Sequence, residues 1–182
     1  MTLSGPCPAV HSGGVQVAIG LGSSLGDRRH HLDLAVRTLA ADPHLELLRR
    51  SRDYFSPPMR GGAARGWFLN CVALFRTSLD PEALLARCIR HERRAGRRRA
   101  LHWGDRTLDL DVLHAESISC DQPDLVLPHP GIAHRSFVLH PLLEIWPDAR
   151  HPITGVYWRD LPSRITPRAV PLNAVARARV VV

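Results

Sequence analysis

The sequence predicts an α+β domain built on an antiparallel or mixed sheet, and three observations predict it. Some stretches alternate apolar and polar residues, as strands do, while others repeat apolar residues at helical spacing. The order that results is strand, helix, two strands, helix, strand, helix, in which helices alternate with hairpin-like pairs; this fits α+β better than a doubly wound sheet. The 182 residues are 45% apolar and only 5% aromatic, enough chain for one proper core.

Residues 1–14 are rich in Gly, Pro and Ser and read as a flexible leader. Val15 to Ile19 alternates with β-branched residues and reads as a strand, closed by the small-residue run Gly20-Leu21-Gly22-Ser23-Ser24. Asp27 offers an N-cap or first-turn carboxylate to a helix carrying Leu32, Ala35, Val36 and Leu39, which Asp42-Pro43 stops. Leu45 to Phe55 is an amphipathic extended stretch leading into Ser56-Pro57-Pro58, and residues 60–66 form a flexible basic loop. Trp67 to Thr77 is a β run apolar enough to be covered on both faces. Asp80-Pro81-Glu82 starts a second helix: a capping carboxylate, Pro in the first turn, and an acid near the positive dipole end. Leu84, Leu85, Cys88, Ile89 and Glu92 share one side of it, and it ends near Gly96. A strand at residues 107–113, a short β segment at 125–127 and a helix around 134–145 complete a domain spanning 15–150. Residues 151–182 are expected to be a loosely packed C-terminal extension.

Charge and cysteine usage narrow the function. All 24 basic residues are Arg, against 17 acidic ones, for a net charge of +7. Without lysine there is no P-loop lysine, no protein-kinase strand lysine and no Schiff-base chemistry, so any phosphate must be held by Arg and metal. The four cysteines contain no C-x-x-C pair, which argues against a zinc site on paired cysteines; Cys71 and Cys88 lie among apolar neighbours and read as core thiols. No stretch approaches the ~18 apolar residues of a membrane span. The first residues lack the basic start and apolar run of a signal peptide. The expectation is a soluble cytoplasmic protein with no membrane partner.

The segment richest in chemistry is Thr107-Leu108-Asp109-Leu110-Asp111-Val112-Leu113. Its alternation puts Leu108, Leu110 and Val112 on one face and Asp109 and Asp111 on the other. Two carboxylates on one strand face repel unless a cation lies between them. A hard divalent ion such as Mg²⁺, which binds one or two carboxylates plus substrate phosphates, is one answer, and an exposed face with Asp–Arg pairs is the other. Eight Arg between Arg87 and Arg106, broken by Gly96, precede the pair. Such a run reads as a solvated helix face, a nonspecific nucleic-acid patch, or a loop that grips polyphosphate through bidentate guanidinium contacts; Arg97 and Arg106 are the candidates for that grip. Further on, His129 follows Leu127-Pro128, with Arg135 and Phe137 beyond it. Phe68 and Asn70 alternate along the Trp67–Thr77 run, offering a flat ring and an amide together.

Taken in order, these pieces resemble the 6-hydroxymethyl-7,8-dihydropterin pyrophosphokinase family of folate biosynthesis over roughly residues 15–150. The resemblance begins with Gly22-Ser23-Ser24-Leu25-Gly26-Asp27-Arg28 and runs through Pro57-Pro58, Phe68-Leu69-Asn70 and Thr77-Ser78-Leu79-x-Pro81-Glu82. It is sharpest at Glu92, Gly96-Arg97 and Trp103-Gly104-x-Arg106-Thr107-Leu108-Asp109-Leu110-Asp111, and closes with Pro128-His129, Arg135-x-Phe137 and Pro141-Leu142-x-Glu144-Ile145.

The resemblance implies a ferredoxin-like αβ sandwich and transfer of pyrophosphate from ATP to the pterin hydroxymethyl oxygen, releasing AMP. It implies two Mg²⁺ ions on Asp109 and Asp111. Arg97 and Arg106 would be mobile-loop arginines closing over the triphosphate, with Trp103 packed in the same loop, and His129 and Arg135 would contact phosphate and nucleotide. Glu92 and Val112 join the expected ATP-binding set. Phe68 and Phe137 would sandwich the pterin, Asn70 would bond its polar edge, and Ser56, Pro57 and Pro58 would complete that pocket. Three positions depart from the family pattern: Ser24 where Asn is usual, Asp105 where Pro is usual, and Ile89 where Gln is usual. Asp105 sets a carboxylate beside Arg106, able to weaken phosphate contact or to pair with a neighbouring Arg. The protein is expected to be a monomer. The alternatives are an arginine-rich RNA-binding α/β plait and a divergent, weakly active relative; against RNA, the aromatic stacking motif is missing and bare Asp109 and Asp111 would repel a phosphate backbone.

Overall fold

The computed structural model describes residues 7–10, 13–59, 61–97, 104–161 and 169–171. Its elements are β1 (Val15–Ser23), α1 (Arg28–Ala40), β2 (Leu45–Arg50), β3 (Tyr54–Ser56), β4 (Phe68–Thr77) and α2 (Pro81–Arg94), followed by β5 (Asp109–Ala115), β6 (Cys120–Gln122), β7 (Leu125–Leu127) and α3 (Ser136–Ile145). A 3-10 turn at Trp158–Asp160 and the short β8 (Val170–Pro171) come last. The main sheet runs β5-β1-β4-β3-β8 with β2 also paired to β4, and all its pairings are antiparallel. β6 and β7 form a separate hairpin. The architecture is the expected α+β class, with helices on both faces of the sheet.

The apolar density of β4 follows from its place between β1 and the β2–β3 pair. Leu69, Cys71, Ala73 and Phe75 turn to one face, where they meet Leu32, Val36 and Leu39 of α1 and Leu84 and Cys88 of α2. Val72 and Leu74 turn to the other, against Val138, Leu139, Leu142 and Ile145 of α3. Each such large side chain stabilises the fold by about 1.5–3 kcal/mol relative to exposure. Asp27 caps α1 as the sequence suggests, its Oδ1 accepting the His30 N–H at 3.0 Å. Cys71 and Cys88 are buried free thiols.

Several elements differ from the sequence reading. β1 continues through Gly20 to Ser23, because β4 and β5 pair it on both sides and hold a small-residue stretch that would not stay extended alone. The 45–55 stretch divides at residues 51–53, where the buried Asp53 carboxylate accepts from the Arg50 guanidinium at 2.7 Å and Ser51 bonds the Val72 backbone in both directions. Asp80 makes no cap bond with α2; its Oδ1 accepts the Val10 N–H at 2.9 Å, and Glu82 Oε1 accepts the Cys7 N–H at 3.2 Å. The described part of the leader therefore lies on the start of α2. Within the segment expected to be a loose extension, Trp158 is buried in the α3 core, β8 pairs with β3, and the Ala169 N–H donates to Ser136 Oγ at 2.8 Å. Among the described residues no helix is long and apolar enough to cross a membrane.

A disulfide joins Cys7 to Cys120 across 113 residues of chain, a pairing that nothing in the local sequence announces. In the chain-entropy account a cross-link closing ~100 residues stabilises by about 4–5 kcal/mol, and each kcal/mol moves the midpoint of a chain this size by about 2–4 °C. Reduction with dithiothreitol should lower the thermal midpoint by about 10 °C. Cys7→Ser should start at that lower midpoint and not respond; equal midpoints for oxidised and reduced protein would refute this.

Candidate active site

On the α3 side of the sheet the helix covers one end, and the other end opens into a cavity of about 800 Å³. The floor is set by strand register. Gly22 of β1 pairs with Asn70 on one side and Asp109 on the other, and Gly20 pairs with Val72 and Asp111. With strands ~4.8 Å apart, the Asn70 and Asp109 backbones lie about 10 Å from each other across the glycine strand. A Cβ on Gly22 would sit 3.3 Å from Asn70 Oδ1 and 3.8 Å from Asp109 Cβ, so side chains there would fill the floor.

Asp109 and Asp111 both line this cavity, on the same face of β5, while Leu108, Leu110 and Val112 go to the opposite core. Asp109 is ion-paired with Arg97 at 2.6 Å and with Arg106 at 3.1 Å. Asp111 is more deeply buried; burial first, and then the Asp109 charge, pushes its carboxyl up to about 7, with Arg135 opposing. Glu92 does not line the cavity. Its Oε1 accepts the Leu110 N–H at 2.8 Å and pairs with Arg97, so it ties α2 to the start of β5 and holds the Arg97 guanidinium; burial raises its carboxyl above the ordinary range. Among the described residues the buried Arg106 Nε has no hydrogen-bond partner, and its guanidinium lies 5.6 Å from the centre of the Phe68 ring.

His129 and Arg135 approach from the loop before α3, after a cis Leu127–Pro128 bond. The Gly131 N–H donates to His129 Nδ1 at 2.9 Å, which leaves Nε2 to carry the proton of the neutral ring. Burial first, and then Arg135, holds His129 below its ordinary value and so neutral. A Cβ on Gly131 would stand 2.8 Å from the His129 ring and 2.9 Å from Arg135 Cδ. Gly131→Ala should therefore displace both side chains and lower kcat by about 10- to 100-fold, as misplacements near 1 Å do. Circular dichroism and steady-state kinetics together check this; an undiminished rate would refute it.

Asn70, Ser56, Pro57, Phe68 and Phe137 also line the cavity. Asn70 is buried; its Nδ2 donates to the Tyr54 carbonyl at 3.2 Å and to Ser56 Oγ at 3.0 Å, which fixes the amide and presents Oδ1 on the Gly22 side. Of the residues expected at the site, Arg97, Arg106, Asp109, Asp111, His129, Arg135, Ser56, Pro57, Phe68, Asn70 and Phe137 come together in this one cavity. Val112 does not: its side chain is in the core beneath β5, because strand alternation sends it opposite to Asp111. Pro58 is not in the lining, and Trp103 lies outside the described residues. Sequence reasoning missed Gly20 and Gly22 as floor, Gly131 as a support for His129, and Met59, Ala63 and Ala64 as wall. The Gly-x-Gly spacing inside a strand was the one signal available for the floor. Asp105 also faces the cavity, yet among the described residues it forms no ion pair with an arginine: its carboxylate accepts the backbone N–H groups of Arg65 and Gly66.

The family model described as 7,8-dihydro-6-hydroxymethylpterin-pyrophosphokinase matches residues 18–147. The chain is 40% identical over 152 residues to the 2-amino-4-hydroxy-6-hydroxymethyldihydropteridine pyrophosphokinase of Methylorubrum extorquens, covering 84% of this chain and 94% of that protein. It is 39% identical over 137 residues to the enzyme of the same name from Pseudomonas aeruginosa, covering 75% and 84%. Among solved structures, Plasmodium falciparum HPPK-DHPS with pteroate superposes at a TM-score of 0.61 and 14% identity, over 87% of this chain and 43% of that longer one, a likeness of fold. This chain thus spans less than half the length of that parasite protein. A match over most of the domain, with such relatives, means that the chain belongs to the 7,8-dihydro-6-hydroxymethylpterin-pyrophosphokinase family.

Proposed function

We propose that the protein, a cytoplasmic monomer, transfers the pyrophosphate of ATP to the hydroxymethyl oxygen of 6-hydroxymethyl-7,8-dihydropterin and releases AMP. A P–O bond forms between that oxygen, which gives up its hydroxyl proton to solvent, and the β-phosphorus, as the bond from the β-phosphorus to the bridging oxygen breaks and AMP leaves with that oxygen. The observation that carries this reading is the register across β4, β1 and β5: Phe68 and Asn70 on one side of a glycine floor and the Asp109 and Asp111 carboxylates on the other, with the Arg106 guanidinium 5.6 Å from the centre of the Phe68 ring. A flat heterocycle stacks against Phe68 and Phe137, and Asn70 Oδ1 accepts from its N–H edge.

The donor set at the other end fits Mg²⁺. Asp109 and Asp111 are hard oxygen donors on one strand face, and burial first, and then the Asp109 charge, holds the Asp111 carboxyl up at about 7. Two Mg²⁺ ions there would neutralise triphosphate charge and align it for in-line displacement. Arg97 and Arg106, ion-paired to Asp109, would exchange that carboxylate for phosphate oxygens as the nucleotide enters. His129, neutral with its proton on Nε2, donates to a phosphate oxygen, and Arg135 adds charge beside it.

The test is to incubate protein, Mg²⁺, ATP and the hydroxymethyl-dihydropterin and to identify the nucleotide formed. AMP that appears only with the pterin supports the reading; ADP, or no product, rejects it. Salt-sensitive retention of RNA without ATP turnover would favour the RNA-binding alternative that the +7 charge suggests.

A further inference from the structure

Outside the cavity the fold gathers a second group of ligand atoms. Cys7 of the leader, Glu82 in the first turn of α2 and Cys120 of β6 each bring a sulfur or a carboxylate oxygen, and these atoms lie within 4.8 Å of one another. Sequence spacing hides the group, because the two cysteines stand 113 residues apart. The leader is held in place by more than its sulfur. Cys7 packs against the core that buries Cys120, and its N–H donates to Glu82 Oε1 at 3.2 Å. The Val10 N–H donates to Asp80 Oδ1 at 2.9 Å, which keeps the chain on the start of α2. These bonds need neither Glu82 Oε2 nor the link between the sulfurs.

The disulfide is one state of this pair. A cellular dithiol can break it: the dithiol gives up two electrons and closes into a disulfide of its own, and both protein sulfurs become thiols. A cytoplasm maintains that state. Two sulfurs and one carboxylate then form the donor set of Zn²⁺ and not of Mg²⁺ or Ca²⁺, which take oxygen. In a tetrahedron with Zn–S near 2.3 Å and Zn–O near 2.0 Å, the sulfurs stand about 3.8 Å apart, and sulfur and oxygen about 3.5 Å apart. Atoms already gathered within 4.8 Å reach those spacings by side-chain rotation. Charge favours the ion as well. Two thiolates and a carboxylate around Zn²⁺ leave one negative charge, set beside the positive end of α2 in a chain of net charge +7. The sulfurs lie against the core, while the exposed Glu82 provides an entry path and room for a water in the fourth position.

We propose that reduced Cys7 and Cys120, together with Glu82, form a structural Zn²⁺ site that takes the place of the disulfide in tying the leader and α2 to β6. Each thiol loses its proton to solvent as its Zn–S bond forms, two protons per ion. When a cellular disulfide takes the two electrons back, the protein S–S bond re-forms and the ion leaves. None of the three residues lines the cavity, so the site is separate from pyrophosphate transfer.

The test takes the full chain, reduced with a phosphine whose phosphorus gains oxygen from water, stripped with EDTA and desalted. Co²⁺ alone, as a coloured stand-in, should give a near-ultraviolet thiolate-to-metal charge-transfer band that saturates at one equivalent, and Zn²⁺ should bleach it. Zn²⁺ at a hundred times its Kd should raise the thermal midpoint of the reduced protein by about 5–10 °C. Oxidised wild type should show neither effect. Cys7→Ser should lose at least half of the band and weaken Zn²⁺ more than about 100-fold in competition with a chelator, since loss of even an outer partner costs about 10–100-fold. Glu82→Gln, an exposed change that spares both sulfurs, should keep the band and weaken Zn²⁺ about ten-fold or more. Reduced wild type without the band overturns the site and leaves a disulfide only. A full band in Cys7→Ser overturns it too, by putting the metal on Cys71 or Cys88, and an affinity unchanged in Glu82→Gln removes the carboxylate from the ligand set.

Discussion

Asp111→Asn is expected to abolish pyrophosphate transfer and, in the metal-free protein, to raise stability at alkaline pH. The first effect follows from the proposed Mg²⁺ site: Asn keeps the shape but removes the charge that a hard cation needs, and turnover should fall by at least about a thousand-fold, the scale of losing a principal electrostatic contact. Asp109→Asn should fall comparably. The second effect follows from burial. In the fold the Asp111 carboxyl titrates at about 7 against an ordinary 3.8, so below 3.8 it is protonated in both states and costs nothing. As pH rises from about 4 to about 7, the unfolded chain ionises freely while the fold resists. Stability contributed at acid pH is therefore lost, by about 4 kcal/mol at ~1.4 kcal/mol per pH unit. With EDTA at pH 8, Asp111→Asn should melt above wild type; at pH 4 the two should converge. Mg²⁺ should raise the wild-type midpoint and leave the variant's unchanged. A variant that turns over normally, or that melts below wild type at pH 8 in EDTA, would show that Asp111 has a different role.

What the sequence made legible was local. The period-2 alternation of β5 separated Asp109 and Asp111 from Leu110 and Val112, and the same parity that aimed Asp111 at the cavity excluded Val112 from it. That exclusion was readable from the alternation itself, although the resemblance added Val112 to the nucleotide set. The spacing of Leu32, Ala35, Val36 and Leu39 gave α1, and all four are buried. Long-range partners were not legible. Gly20 and Gly22 look like a strand terminator until β4 and β5 are known to flank them, and only that register joins Asn70 to Asp109. Asp80 looks like a helix cap until Val10 is seen to claim its carboxylate. Asp105 looks like a disturbance among arginines, because the amides it holds lie 39 and 40 residues earlier in the chain.

His114→Gln should remove a destabilising contribution that the His114 ring makes to the fold at acid pH. His114 lies in β5 on the α3 side, 1% exposed, with its ring centre 5.0 Å from that of Trp146 and 5.9 Å from that of Trp158. Among the described residues its Nδ1 and the Trp158 Nε1 have no hydrogen-bond partner, so nothing there welcomes a second proton. Burial first, and then the His151 charge, lowers its pKa from 6.5 to about 4. Above 6.5 the ring is neutral in both states. As pH falls towards 4 the unfolded chain takes a proton that the fold refuses, and stability is lost, by about 3 kcal/mol once the lower value is passed. This slope runs opposite to that of Asp111 over nearly the same window, so in the metal-free wild type the two largely cancel, and each single variant exposes the other. Thermal unfolding in EDTA between pH 4 and 8 should show His114→Gln becoming steadily more stable as pH falls, and Asp111→Asn becoming steadily less so. Parallel curves for the two variants would contradict both assignments.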